Sequence, residues 1–194
     1  MLIRLTVLTT FLLALLSGFA EDIEPKPLIP LAVGNIWVYE QLRFDSLGNI
    51  SDRDTLDLEI SGSTDEFDVE AFFWSWELAG GPTEVIGIYD DGYYVLGEVV
   101  GNNVMTYSNR ALWLQFPAAK GDTFINIHDR TINIVHEVDV EKEIPSGTYR
   151  CYEIRTYSRF WDADFIMWFS PGIGLVASES KTGRFVQRLI EFDI

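Results

Sequence analysis

The chain has 194 residues, and its 30 acidic and 14 basic side chains give a net charge of −16 at pH 7. Nucleic acid and anionic membrane surfaces repel a protein of this charge, so we predict neither as a partner. A single cysteine excludes an internal disulfide, and stability must therefore come from burial of the hydrophobic side chains, 47% of the residues. That cysteine, Cys151, lies in an apolar strand pattern, so we predict a buried and inert thiol.

Residues 1–20 have the organisation of a secretory signal peptide. Arg4 supplies the basic start, residues 5–16 form an apolar run, and residues 18–20 (GFA) place small side chains at the cleavage positions. The apolar run is shorter than the roughly 20 residues that span a bilayer. We therefore predict cleavage after Ala20, no membrane span in the mature chain, and a periplasmic or extracellular location.

The rest of the chain is predicted to form one β domain, residues 31–194, preceded by an extended lead at residues 21–30. Three prolines and three acids within those ten residues disfavour a regular element there. The domain is unevenly charged: residues 52–98 hold 13 acids and one base, whereas residues 142–188 hold 7 bases and 5 acids. The acidic region is either a solvated face or a site for a cation or a basic partner.

A period of two dominates the domain and predicts β-strands. Leu56, Leu58 and Ile60 alternate with polar residues, which is typical of a half-buried strand. In residues 131–140 the even-numbered side chains are mostly apolar and include His136, so we predict that this face is buried.

Turn signals separate the strands at short intervals and predict antiparallel neighbours. Residues 104–114 are the nearest candidate for a short helix. The predicted fold is therefore all-β, an antiparallel meander of about ten or eleven strands curled into a barrel or half-barrel, with few or no helices. The turn signals lie at residues 45–49, 80–82, 90–92, 101–103, 145–147 and 181–183.

Residues 67–78 are apolar on both faces of the predicted strand. Without amphipathic helices, the two faces need the far wall of a curved sheet, a bound apolar ligand or a partner protein to cover them. Large aromatic side chains are the candidates to line a ligand-accepting concavity, and core packing between opposed walls is the alternative. We predict that the lining consists of Phe72, Trp74, Trp76, Trp113 and Trp168.

Two segments share a sequence frame at an offset of 87 residues. Residues 30–37 (PLAVGNIW) and 117–124 (PAAKGDTF) each have Pro, then Ala at +2, Gly at +4, Asn or Asp at +5 and an aromatic residue at +7. The frame predicts a turn that leads into a strand. Duplication of a half-sheet and independent use of the same turn chemistry both explain it.

Three blocks carry a resemblance to known proteins. Residues 31–39 (LAVGNIWVY), 144–154 (IPSGTYRCYEI) and 167–176 (MWFSPGIGLV) resemble blocks of secreted bacterial β-sheet proteins of uncharacterised function, which are distantly similar to periplasmic lipoprotein-carrier half-barrels. The resemblance implies a curved sheet with turns at Gly147, Gly172 and Gly174. It implies no catalytic residue.

The sequence shows no arrangement that points to nucleophilic or phosphate chemistry. It contains no Gly-x-Ser-x-Gly turn, and its paired glycines are not followed by a predicted helix. The two histidines, His128 and His136, have no third ligand at a short spacing, so we predict no metal site and no cofactor.

Acidic pairs are the remaining candidates for chemistry. A carboxylate-dependent hydrolase needs two such groups across a cleft, and weak calcium binding is open at residues 90–92 and 162–164. Turn formation is the alternative that we favour for all three pairs. The pairs are Asp52 with Asp54, Asp90 with Asp91, and Asp162 with Asp164.

These observations favour an exported, non-enzymatic protein that binds an apolar small molecule or a peptide in the concavity of its sheet. The alternative is a structural or assembly component of a secreted or periplasmic complex, in which the doubly apolar strands or an exposed edge pair with a partner chain. An enzyme is the third hypothesis.

Overall fold

The computed structural model describes residues 26–76, 83–126, 130–158 and 164–194. The predicted signal peptide lies outside these residues. The described residues form one antiparallel sheet of twelve strands, which confirms the predicted all-β meander. The number of strands is slightly higher than the ten or eleven expected. The strands are β1 (Ile36–Phe44), β2 (Ile50–Thr64), β3 (Ala71–Trp76), β4 (Thr83–Tyr89), β5 (Gly92–Val100), β6 (Asn103–Gln115), β7 (Thr123–Asn126), β8 (Thr131–Ile144), β9 (Gly147–Ser158), β10 (Asp164–Ser170), β11 (Gly174–Ser180) and β12 (Phe185–Asp193).

The sheet consists of two six-stranded meanders, β1–β6 and β7–β12. The strand order is β6-β5-β4-β3-β2-β1-β12-β11-β10-β9-β8-β7, so pairing of β1 with β12 joins the first meander to the second. The two outermost strands, β6 and β7, approach each other across the fold. The sheet is therefore a nearly closed barrel.

The shared sequence frame leads into the first strand of each meander, and its last two residues belong to that strand. In the first frame, the amide of Gly34 donates to the carbonyl of Ile60 on β2 at 2.9 Å. In the second, the amide of Gly121 donates to the carbonyl of Val135 on β8 at 2.8 Å. Both glycines have a positive φ, 95° and 92°. The same geometry at the same place in both meanders favours duplication of a half-sheet.

Apolar side chains fill the barrel interior. The cluster draws on both meanders, and eleven of the twelve strands supply a buried member. It also contains Leu28 and Ile29, which precede the first strand. The strand members of the cluster are Trp37, Tyr39, Leu56, Leu58, Ile60, Phe72, Trp74, Ile86, Tyr93, Val95, Leu114, Phe124, Val135, Ile154, Phe169 and Leu189.

The predicted two-faced character of the strand at residues 67–78 is confirmed for β3, whereas residues 67–70 precede the strand and are irregular. Phe72 and Trp74 face the interior cluster. Ala71 belongs to a second, outer cluster, in which Phe67 and Val69 pack against β3, β4 and β5. Residues 65–70 thus cover the outer face of these strands with their own side chains.

Two predictions about individual strands are wrong. Residues 104–114 are not helical, because they lie within β6. In β8 the buried side chains are Thr131, Asn133 and Val135, whereas the even-numbered side chains from 132 to 136 are only half-buried. The interior accepts these polar groups because Thr156 donates to the amide oxygen of Asn133 at 2.7 Å.

Within the described ranges, no helical segment has the length and apolar character that a membrane crossing requires.

Candidate functional site

Three of the five predicted lining residues meet inside the barrel. Phe72 and Trp74 are buried in the interior cluster, and Trp113 packs against it. The Trp74 ring centroid lies 5.2 Å from that of Trp113 and 5.7 Å from that of Trp37. These rings pack edge to face or tilted, as aromatic rings do in a core.

Trp168 lies apart from these residues. It belongs to an outer cluster with Cys151, while its neighbours in β10 face the interior. The Lys142 ammonium stands 3.5 Å from the Trp168 ring centroid and 2.7 Å from the carboxylate of Glu179, so it covers the ring. The side chain of Trp76 lies outside the described part of the chain.

The prediction of a buried thiol is confirmed. Cys151 is 1% exposed, and burial raises the pKa of its thiol to about 12, while the positive charge of Lys142 acts in the opposite direction. A thiol with this pKa stays protonated at neutral pH and is a poor nucleophile.

An irregular stretch of the chain itself lies against the turn between β10 and β11. We call residues 26–30 the lead segment. Its two apolar side chains, Leu28 and Ile29, are 1% and 0% exposed and belong to the interior cluster. In the sequence this pair stands between two prolines. Composition alone predicted only that it belongs to an extended lead, not that it is buried.

Backbone groups of the lead segment are held by hydrogen bonds from the barrel. Both the amide and the carbonyl of one residue bind a single tyrosine hydroxyl, and two further carbonyls accept bonds from the barrel. The bonds are Ile29 N to Tyr93 Oη at 2.8 Å, Tyr93 Oη to Ile29 O at 3.0 Å, Gly172 N to Pro27 O at 2.7 Å and Asn35 Nδ2 to Pro30 O at 2.9 Å.

The sheet opens where the lead segment lies. β11 pairs with β12 only over Ala177–Glu179, so the first residues of β11 do not use β12 as a partner. Side chains of β1 bind the carbonyls beside this opening: Trp37 Nε1 donates to Ile173 O at 2.6 Å, and Tyr39 Oη donates to Leu175 O at 2.9 Å. The carbonyls beside the opening are thus hydrogen-bonded by polar side-chain atoms, and the lead segment lies over the opening.

Two glycines lie against the lead segment, and their positive φ values agree with the turns that the sequence blocks implied. Gly172 has φ 80°, and a Cβ there would lie 2.9 Å from Cδ of Lys26. Gly174 has φ 98°, and a Cβ there would lie 3.5 Å from the Ile29 side chain. We call the surface formed by Asn35, Tyr93, Gly172 and Gly174 the lead groove.

The phenols around the lead segment are uncharged at neutral pH. Burial raises the pKa of Tyr93 to about 12, although its hydrogen bonds to the backbone of Ile29 and Leu28 act in the opposite direction. Burial also raises the pKa of Tyr39. Each hydroxyl can therefore donate a hydrogen bond to a peptide carbonyl.

The histidine and acid candidates do not converge on one centre. Nδ1 of His136 lies 2.9 Å from Oε1 of Glu153, which also contacts Arg155 at 3.4 Å. His128 and Asp162 lie outside the described residues. In the part of the chain that the structure describes, no three His, Cys, Asp or Glu side chains are grouped as metal ligands.

The acidic pairs differ in where they lie. Asp90 and Asp91 occupy the turn between β4 and β5, as predicted. Asp52 and Asp54 lie within β2, so the turn prediction is wrong for them. Asp164 is the first residue of β10.

No protein-family model matches this chain, and no curated protein matches it. Two solved structures are similar to it. One is a predicted lipoprotein from Parabacteroides distasonis, with a TM-score of 0.45 and 16% identity over 88% of this chain and 100% of that chain. The other is a predicted exported protein with a YmcC-like fold from Bacteroides fragilis, with a TM-score of 0.45 and 13% identity over 87% of this chain and 100% of that chain.

Proposed function

We propose that this chain is an exported, non-enzymatic binding protein whose lead groove takes a short apolar peptide. Export rests on the signal-like residues 1–20. The observation that carries the binding proposal is the double hydrogen bond of the Tyr93 hydroxyl to the amide and carbonyl of Ile29. A barrel side chain that binds both polar groups of one backbone residue recognises the peptide backbone rather than a particular side chain.

The contacts of the lead segment divide into backbone recognition and apolar anchoring. Pro27 and Pro30 present carbonyls to Gly172 and to the Asn35 side chain, one on each side of the buried pair. Leu28 and Ile29 supply the anchors. Peptide-binding proteins combine main-chain bonds, which give affinity, with pockets for selected side chains, which give specificity.

The proposed ligand site is the lead groove and not the aromatic-lined concavity that the sequence predicted. Phe72 and Trp74 belong to the same interior cluster as the apolar anchors, and Trp113 packs against that cluster, so these side chains are part of the core that supports the lead segment. The lead segment occupies the groove in cis. An incoming peptide must therefore compete with a tethered segment whose effective concentration is of the order of millimolar.

Peptide displacement tests the proposal in the full chain. A Lys26→Cys variant is labelled with an environment-sensitive dye, which is selective because Cys151 is buried. A synthetic peptide of residues 21–31 is added, and in parallel the same peptide with Asp in place of Leu28 and Ile29. We expect a saturable dye response to the first peptide only.

A second variant separates cis competition from other causes of weak binding. Ile29→Ala removes part of the buried anchor, so the lead segment leaves more readily and the peptide is expected to bind at least about tenfold more tightly. Ile125→Ala is the matched control, because Ile125 is 58% exposed, lies on β7 and is not part of the lead groove. Equal responses to both peptides, or equal affinities of the two variants, would contradict the proposal.

An assembly role is a second candidate, and one observation favours it. β6 and β7 end the hydrogen-bonded strand order, so among the described residues each has a single strand partner. Edges of this kind accept strands from other chains. Native mass spectrometry of protein from its own host distinguishes the candidates, because an assembly component carries a stoichiometric partner chain.

A further inference from the structure

The outer face of the barrel carries a second cavity, separate from the lead groove. It has a volume of about 310 Å³ and lies where residues 65–70 pass over β4, β5 and β6. This volume stands at the lower end of the range of roughly 300–1,000 Å³ that is usual for ligand pockets. We call it the outer cavity; a small molecule fits its size better than a polymer does.

Two opposite charges flank one aromatic ring in the outer cavity. The Arg110 guanidinium carbon lies 4.0 Å from the Tyr89 ring centroid and 4.7 Å from that of Tyr94. The Tyr89 hydroxyl donates to the carboxylate of Asp68. Contacts to the Tyr89 side chain therefore hold both charges in place, the cation over the ring and the anion at the hydroxyl.

The guanidinium is reachable from solvent. Arg110 is exposed, and its guanidinium lies over the Tyr89 and Tyr94 rings, which are nearly perpendicular to each other. A hydrogen bond joins the Arg110 and Tyr89 side chains, and the remaining N–H groups of the guanidinium can donate to a carboxylate.

The remaining wall of the outer cavity is apolar. Phe67 and Leu96 line it, and Leu96 is 3% exposed. Gly87 underlies this wall, since a Cβ there would lie 2.7 Å from Leu96 Cδ1 and 2.9 Å from Val69 Cγ2. Glycine at this position allows residues 65–70 to approach the sheet closely enough to close one side of the cavity.

We propose that the outer cavity binds an apolar α-amino acid as its zwitterion, with the carboxylate on Arg110, the ammonium group on Asp68 and the side chain against Phe67 and Leu96. The site goes beyond the peptide groove, because it shares no residue with it. A zwitterion can contact both charges, whereas a simple anion or a simple cation can contact only one of them. Thr106 and Tyr107 complete the lining.

Calorimetric titration of the full chain with leucine, leucinamide and N-acetyl-leucine tests the assignment. Leucinamide lacks the carboxylate, and N-acetyl-leucine lacks the ammonium group. We expect saturable binding of leucine and at least about tenfold weaker binding of each derivative. Equal affinities for the three compounds, or no heat of binding for leucine up to millimolar concentrations, overturn the proposal.

Variants assign each charge to its residue. Arg110→Gln is expected to weaken leucine binding at least about tenfold and to remove the preference for leucine over leucinamide. Asp68→Asn is expected to remove the preference over N-acetyl-leucine instead, while Asn still accepts the Tyr89 bond. Arg150→Gln on β9 is the matched control and leaves binding unchanged. The assignment is overturned if the Arg110 and Asp68 variants keep both preferences for leucine, or if Arg150→Gln loses a preference in the same way.

Discussion

The hydroxyl of Tyr93 accepts a hydrogen bond from the amide of Ile29 at 2.8 Å and donates one to the carbonyl of the same residue at 3.0 Å. The two residues are 64 positions apart, and both are buried. A phenol has one donor and two acceptor positions, so it can satisfy both backbone groups of one residue at once. The buried amide and carbonyl of Ile29 in the lead segment thus depend on a side chain of β5 for their hydrogen bonds.

Replacement of this hydroxyl is the most direct test of the relationship. Tyr93→Phe leaves the amide and the carbonyl of Ile29 buried without this partner, and each such group costs about 1–3 kcal/mol. We expect a loss of at least about 2 kcal/mol in the free energy of unfolding, measured in urea, unless the lead segment detaches first. Detachment appears as faster hydrogen exchange at Ile29.

Tyr157→Phe serves as the control for the Tyr93 variant. Tyr157 is 36% exposed, so we expect a change within about 0.5 kcal/mol. Unchanged unfolding together with unchanged exchange in Tyr93→Phe would show that the two hydrogen bonds do not hold the lead segment.

The general architecture could be predicted because local signals are strong in this chain. Leu56, Leu58 and Ile60 all face the interior, as their alternation indicated. Glycine turns such as that before β5 reverse the chain where a positive φ is needed, here 149° at Gly92. Antiparallel pairing of neighbours follows from such turns, so the meander could be predicted without long-range information.

The reversed faces of β8 show where local signals fail. Asn133 is buried because Thr156 on β9 binds it, and a partner 23 positions away leaves no mark on the pattern of β8 itself. The assignment of residues 104–114 failed because register shifts opposite β5, such as that between Val95 and Gly97, break the period of two.

The candidate site could be predicted only in part for the same reason. Large aromatic residues identified Phe72, Trp74 and Trp113, which do meet. The position of Leu28 and Ile29 depends on tertiary contacts with Tyr93 and was not predictable from a short apolar pair.

The interior pair of Asn133 and Thr156 is expected to be energetically coupled. Thr156→Val leaves the amide oxygen of buried Asn133 without this donor, which we expect to cost about 1–3 kcal/mol. The double variant Asn133→Leu, Thr156→Val removes both groups, so its cost should be smaller than the sum of the single costs by at least about 1 kcal/mol. Urea unfolding of the four proteins measures the coupling. Additive costs, within about 0.5 kcal/mol, would contradict it.

The thiol of Cys151 makes stability depend on pH in the alkaline range. Its pKa is about 12 in the folded state, against about 8.5 in an unfolded chain. Between these values the folded state binds more protons than the unfolded state, so stability falls as pH rises through this window. We expect the wild type to lose more stability than Cys151→Ala between pH 8.5 and pH 10, measured by urea unfolding. The same slope in both proteins would contradict the assignment.

The same pKa shift predicts slow alkylation of the folded protein. At pH 8 the thiolate fraction is lower than that of an unfolded cysteine by a factor of about a thousand. The rate of reaction with iodoacetamide, followed by mass spectrometry, should differ between native and urea-unfolded protein by at least this factor, because burial restricts access further. Native alkylation at a rate close to the unfolded one would show that Cys151 is accessible.

The β5–β6 hairpin is expected to tolerate a side chain at one of its glycines and not at the other. A Cβ on Gly97 would lie 2.3 Å from the backbone oxygen of Met105, so Gly97→Ala must push the two strands apart. Gly101 in the turn has φ 62° with open space around it, so Gly101→Ala carries only the backbone strain of about 1–2 kcal/mol. We expect Gly97→Ala to cost at least about 1 kcal/mol more than Gly101→Ala in urea unfolding. Equal costs would mean that the backbone oxygen of Met105 does not lie within 2.3 Å of a Cβ on Gly97, and that β5 and β6 are farther apart at this point.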